Sequence, residues 1–190
     1  MLRQEQKERT HQVILDSAAV EFNLHGYAGT RTMEIIDRIG LSKGALYHHF
    51  QNKIDIADEL NTLGRTQWAE TLAVDESAGR GLTALHALWR SVFGAVHEHP
   101  RLQAYLRLCS EGVGEGGTPL AELQALFVSR LQQAIADKEV RETIDTRGTS
   151  AALIDIAWGV LMSQSPWGGD DTEARLDHIW DLIQPGLQAR

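Results

Sequence analysis

The stretch Lys43–Phe50, KGALYHHF, followed three residues later by Lys53, decides how this chain is read. A helix over it turns Ala45, Leu46 and Phe50 inward and leaves Lys43, Gly44, Tyr47 and His48 outward. A solvated polar face of a soluble helical bundle is the plain alternative, but the spacing of the set taken together is better explained by contact with DNA. Lysine reaches a phosphate or a base edge; a tyrosine ring meets a thymine methyl while its hydroxyl reaches a phosphate. Glycine costs about 1 kcal/mol in a helix interior. Near an N-terminus that penalty shrinks, and the missing side chain lets the backbone approach a groove. Lys53 opens the next helix, where a positive charge gains nothing from the dipole, so it is expected to act outside its own helix. His48 and His49 diverge on a helix and are not read as a pair of metal ligands.

Working outward, Gly40 allows a tight turn and Ser42 caps the helix that follows. Thr32 is read as the cap of a short upstream helix carrying Ile35, Ile36 and Ile39 inward; its hydroxyl and backbone N–H also suit a phosphate. Residues 9–25 make a longer helix with Leu15, Ala18, Ala19 and Phe22 on one face, stopped at Gly26. Asn52 caps a fourth helix beginning at Lys53. A long helix, a short helix, a three-residue turn and another short helix form a helix-turn-helix unit. Its expected core is Phe22, Ile36, Ile39, Leu41, Leu46 and Phe50.

The remaining sequence reads as helix over 53–74, 82–98, 100–110, 120–138, 149–163 and 172–185, with Asp171 or Thr172 capping the last. No alternating β-branched pattern occurs, so the fold class is all-α. The organisation predicted is a DNA-binding domain over 1–52 and an all-helical ligand-binding and dimerisation domain over 53–190. Turns are expected at DESAGRG, residues 75–81, and at QSPWGGDD, residues 164–171. EGVGEGGT, residues 111–118, carries four glycines and is read as a mobile loop or as a gate beside a cavity. All five tryptophans (Trp68, Trp89, Trp158, Trp167 and Trp180) fall in the second part. Trp89, Tyr105 and Phe127 come from three central helices and are candidates to surround an apolar ligand, plain core packing being the alternative. Met162 joins either that pocket or an interface.

The totals set limits. A net charge of −8 and a pI near 5.4 argue against a protein that coats nucleic acid. They leave room for a small basic face, and Arg31, Arg38, Lys43 and Lys53 gather near the turn. The single cysteine, Cys109, excludes an intrachain disulfide and a thiolate metal site. No run of 18 apolar residues occurs, and MLRQEQKERTHQ lacks a signal peptide's apolar segment, so a cytoplasmic protein without a membrane partner is expected. There is no HExxH, phosphate loop or nucleophile elbow. No catalytic residue, metal or cofactor is assigned, and an enzyme is not expected.

Ile14–Lys53, ILDSAAVEFNLHGYAGTRTMEIIDRIGLSKGALYHHFQNK, resembles the TetR family of transcriptional regulators. The pattern of Phe at a helix end, Gly-Tyr, Thr, a short helix, Gly-hydrophobic-Ser-Lys-Gly, Leu-Tyr, His-Phe and Lys is met almost position by position. The resemblance implies that Lys43 and Gly44 start the recognition helix. It implies a DNA-facing aromatic and a phosphate contact at Tyr47 and His49, with His48 beside them. Thr32 and Lys53 match backbone clamps, and Thr30 and Arg31 precede the second helix where further contacts to DNA are made. Ile39 departs from the alanine many members carry there.

EIIDRIGLSKGALYHHF (34–50), IDTRGTSAALIDIAWGVLMS (144–163) and DHIWDLIQPGL (177–187) are similar to the gamma-butyrolactone receptor branch of antibiotic-producing actinobacteria. That resemblance implies a homodimer formed by the last two helices. Ala151 and Ala152 would permit close approach there, and Trp158 and Trp180 would fill the interface. It further implies a palindromic double-stranded operator, repression, and release by a small apolar effector, either a butyrolactone-type hormone or an antibiotic-related compound. The genes controlled would serve antibiotic biosynthesis, regulation or resistance. Two alternatives stand beside it: a general drug-responsive repressor of an efflux or resistance gene, and a helical protein-interaction dimer that does not bind DNA.

Overall fold

Gly40 adopts the left-handed conformation (φ 66°, ψ 26°) that lets two short helices meet at a tight angle. The structure, a computed structural model, describes residues 2–73, 79–115, 117–162 and 172–189. Among them are nine helices: α1 Leu2–Gly29, α2 Thr32–Ile39, α3 Lys43–His49, α4 Lys53–Ala73, α5 Gly81–Glu98, α6 Pro100–Ser110, α7 Pro119–Ala136, α8 Thr146–Met162 and α9 Thr172–Leu187. The loop expected over 164–171, with Trp167 and Asp171, lies outside the described residues, as does most of the turn at 75–81. No helix among the described residues is long and apolar enough to cross a membrane.

The chain forms two units. The first is Met1–Trp68 with His99–Pro119, the second Ala69–Glu98 with Leu120–Arg190. In the first, the punctuation is local and chemical. Ser42 Oγ accepts from Ala45 N at 3.2 Å. Asn52 Oδ1 accepts from Asp55 N, and Asp55 Oδ2 accepts in return from the Asn52 N–H, a reciprocal cap. At α2 the cap residue is Arg31, one position earlier than expected; the Glu34 carboxylate accepts its N–H at 2.8 Å. Gly26 does break α1 (φ 70°), although helix resumes to Gly29. The core contains Leu15, Ala18, Phe22, Ile36, Leu46 and Phe50, with Ile39 and Leu41 packed against it.

Helix α6 belongs to this first unit and runs along α1. Polar bonds fix it there. Arg101 Nε donates to Asp16 Oδ1 at 2.7 Å, and Glu111 Oε2 accepts from the Tyr27 N–H at 2.7 Å. The glycine-rich segment after α6 is tied to α4 in turn. Asn61 Nδ2 donates to the Val113 carbonyl at 2.9 Å, and Arg65 donates to the Glu115 carbonyl. Helices α4 and α6 approach closely at Gly64, where a Cβ would run into the Tyr105 side chain. Gly64→Ala gains helix propensity of about 1 kcal/mol but forces the Tyr105 side chain and its helix aside, for about 1–3 kcal/mol. A lowered thermal midpoint with unchanged helicity is expected in a melt followed by circular dichroism.

The second unit is built around aromatic rings on α5, α7 and α9. Trp89 meets Phe93 edge-on at 5.0 Å and Phe93 meets Phe127 at 6.4 Å and 90°. Trp180 lies 5.9 Å from Trp89 and stacks on His86 at 4.7 Å and 6°. Edge-to-face rings at these distances add to their burial. The chain end closes back through an isolated antiparallel bridge between Val140 and Gln188.

Candidate nucleic-acid interface

Leu46 and Phe50 are buried in the core, so α3 presents its other face to solvent. Lys43, Gly44, Tyr47 and His48 are all exposed there. Tyr47 is 46% exposed, and Lys43 Nζ lies 5.7 Å from its ring centroid. A cation and an amphipathic ring thus sit side by side on one turn. Gly44 has only Ser42 Oγ, at 3.9 Å, within reach of a Cβ, so its absent side chain answers no internal crowding. On α2, Thr32 is half-buried at the first turn, and Arg31 is exposed beside Glu34 at 3.7 Å. Met33, which the sequence reading did not single out, is 44% exposed on the same helix.

Two of the expected contacts are engaged within the chain. Thr30 is 1% exposed, and its single hydroxyl proton is shared between the Glu21 and Gly26 carbonyls, at 3.0 and 2.8 Å. Its side chain therefore holds the end of α1 and does not reach the surface. Lys53 Nζ donates to the Tyr27 and Thr30 carbonyls at 2.6 and 2.8 Å and lies 4.2 Å from the Tyr27 ring centroid. This explains a lysine at a helix N-terminus: its charge serves the carbonyls at the α1–α2 connection. An ammonium has three donors, so one remains beyond those two.

His49 is half-buried, against α1. Its ring centroid is 5.6 Å from that of His11 and 5.5 Å from that of His48. His11 stacks on Phe50 at 4.5 Å, and its Nε2 is 2.7 Å from Glu59 Oε1 on α4. Burial of the His49 ring pushes its pKa below the usual histidine value. His11, His48 and Lys7 push the same way, and Glu8 opposes them. Neither His11 nor Glu59 was legible as a partner, because 48 residues separate them.

In the second unit, Trp89 and Phe127 each meet the Phe93 ring, and both are fully buried. Tyr105 lies in the first unit, against Gly64, and Met162 is half-buried at the end of α8. Trp89 Nε1 is buried without a hydrogen-bond partner. Ala152 is exposed on α8, with Ala151 and Trp158 half-buried. Trp180 is 1% exposed and packs against His86 and Trp89 of its own chain, so it supports α9 from within and does not stand on the outer face. Leu182 and Ile156 are the large apolar side chains exposed on these two helices.

Comparison with known proteins bears on this surface. Residues 14–60 match the family model described as bacterial regulatory proteins, tetR family. The HTH-type transcriptional repressor KstR2 of Mycobacterium tuberculosis (strain ATCC 25618 / H37Rv) is 33% identical over 163 residues, covering 82% of this chain and 81% of that protein. The chain belongs to the TetR family. It is accordingly a regulator with a helix-turn-helix and not an enzyme. The likeness extends along nearly the whole chain. The A-factor receptor protein of Streptomyces griseus is 27% identical over 190 residues, covering 98% of this chain and 67% of that protein. A crystal structure of an ArpA-like gamma-butyrolactone receptor superposes with a TM-score of 0.75 at 28% identity, covering 96% of this chain and 90% of that one. Among TetR proteins, then, this chain groups with the ArpA-like receptors in sequence and in fold.

Proposed function

We propose that this TetR-family protein is a ligand-responsive repressor that binds a palindromic operator as a homodimer and leaves it when a small apolar effector binds. The observation that carries the proposal is the solvent face of α3, where Lys43, Gly44 and Tyr47 stand clear of a core that fixes the helix from behind. A helix held in that way enters a major groove as a rigid body, and a two-fold axis repeats it about one helical turn of DNA away. Lys43 and Tyr47 read or clamp the groove. Arg31, Thr32, His48, His49 and the remaining donor of Lys53 hold phosphates. In this reading residues 1–52, together with Lys53 at the start of α4, supply the DNA contacts and the rest of 53–190 the effector site and the dimer face, while packing joins α6 to the former. On this reading the protein acts in the cytoplasm, where its operator lies.

The effector site is proposed around Trp89 and Phe127. An unpartnered indole N–H inside an aromatic cluster costs about 1–3 kcal/mol, and a ligand carbonyl placed there removes that cost. A lactone offers such an oxygen on an otherwise apolar body. Kinship with the A-factor and ArpA-like receptors supports a butyrolactone-type hormone or an antibiotic-related compound, and with it control of antibiotic biosynthesis, regulatory or resistance genes. The ligand has to bind the DNA-free arrangement more tightly, or no release follows.

The test is to select duplexes from a randomised pool, then measure affinity with and without extracts containing candidate effectors. Equal affinity in every extract rejects ligand response; failure to select any duplex with a folded dimer rejects DNA binding. Tyr47→Ala is expected to weaken binding to the selected duplex about 10–100-fold, with helicity and dimerisation intact. Unchanged affinity removes Tyr47 from the interface.

A further inference from the structure

Three imidazoles and two glutamates crowd a groove of about 350 Å³ that is lined by Gln4, Lys7, Glu8, His11, His48, His49 and Glu59. Among the described residues no three such groups converge closely enough to hold a metal ion. The arrangement instead controls a proton. Glu59 holds His11 through Nε2 at 2.7 Å, and Phe50 fixes the His11 ring by stacking. So placed, the ring faces His49 at the end of the recognition helix.

We infer that Glu59 and His11 are positioning residues that keep the His49 ring neutral in the free protein, so that operator binding takes up a proton at His49. The inference rests on the DNA-binding reading above. Its geometry is as follows. His49 Nδ1 is buried without a partner, so the second N–H of an imidazolium has no acceptor there. The groups facing the ring from α1 are Gln4, Lys7, Glu8 and His11; from α3, His48; from α4, Glu59. Of these, His11, His48 and Lys7 work against a charge on the ring. Glu8 alone opposes them, since Glu59 is turned to His11. A DNA phosphate arriving at the ring reverses this balance, because a fixed anion favours the charged form.

The sign follows directly. The ring's pKa lies below the usual histidine value in the free protein and rises when a phosphate docks. Binding strength is therefore gained as pH falls through the bound-state value, and the gain is complete below the free-state value.

The experiment uses the full-length dimer and a duplex selected at pH 7.5, with affinity measured from pH 8.5 to 5.5 at constant ionic strength. Wild-type affinity is expected to rise about tenfold with acidification. His11→Gln removes a ring that works against charge on His49, so its rise should begin at higher pH, a shift that a merely structural role would not produce. His49→Gln should bind more weakly and without this rise. If that variant binds too weakly to follow, nuclear magnetic resonance titration of the His49 ring, free and duplex-bound, gives the same reading. A bound-state pKa above the free one is expected. A flat wild-type profile, an unshifted His11→Gln profile or equal ring values overturn the inference. Loss of duplex binding at every pH instead overturns the DNA-binding reading.

Discussion

Leu182→Glu is expected to give a folded monomer that binds its operator about 10²–10⁴-fold more weakly, the range lost when two linked half-sites become one. Leu182 is 68% exposed at the centre of α9. It shares a stripe with Ala174 and His178, spaced four residues apart, and Ile179 lies beside that stripe. Helix α8 packs against α9 and shows a companion stripe of Ala152, Ile156 and Gly159, all exposed. Small residues let helices approach, and large apolar ones give the contact its area. Because Leu182 is 68% exposed within its own chain, a glutamate there should change the stability of the chain by about 0.5 kcal/mol or less. Inside a closed four-helix interface the same carboxylate has no partner. Analytical ultracentrifugation separates the outcomes: a variant that sediments as the wild-type dimer shows that the contact lies elsewhere.

Trp89→Ala should cost about 3–5 kcal/mol, a large share of the roughly 5–15 kcal/mol that holds a domain together. The indole is fully buried and touches Phe93 and Trp180. Its removal leaves a cavity that three rigid helices close only in part. The expected readout is a urea midpoint far below wild type. Trp89→Phe separates packing from recognition. It keeps an aromatic ring while deleting the unpartnered N–H, so its stability should fall by much less. If the indole donates to the effector, this variant still binds operator but needs about tenfold more effector for release. Wild-type sensitivity in Trp89→Phe removes the indole N–H from recognition and leaves only its packing role.

Much of the helix-turn-helix could be read from single residues, because its punctuation is local. A left-handed Gly40, a Ser42 hydroxyl and an Asn52 amide act within three or four positions of themselves. Apolar spacing likewise placed Leu15, Phe22 and Trp89 inside. The features that could not be read are held together by bonds between distant polar residues. The first turns of α1 are exposed helix with no apolar face, so periodicity there is silent. Thr30 resembles a surface threonine until Glu21 and Gly26 are seen to receive its hydroxyl. Trp180 resembles an interface tryptophan until His86 and Trp89 are found against it. The Arg101–Asp16 and Glu111–Tyr27 bonds span 85 and 84 residues, and arginine or glutamate on a helix gives no hint of such reach.

Those same long bonds bear on how the protein is made. The DNA-reading helices precede α6 in the chain, yet α6, which braces them, is finished only at Ser110. During synthesis the nascent helix-turn-helix leaves the ribosome with one flank of α1 still uncovered. Its maturation therefore waits until α6 has followed it out. Grafting the first 68 residues onto a foreign partner would transplant the reading head without its brace.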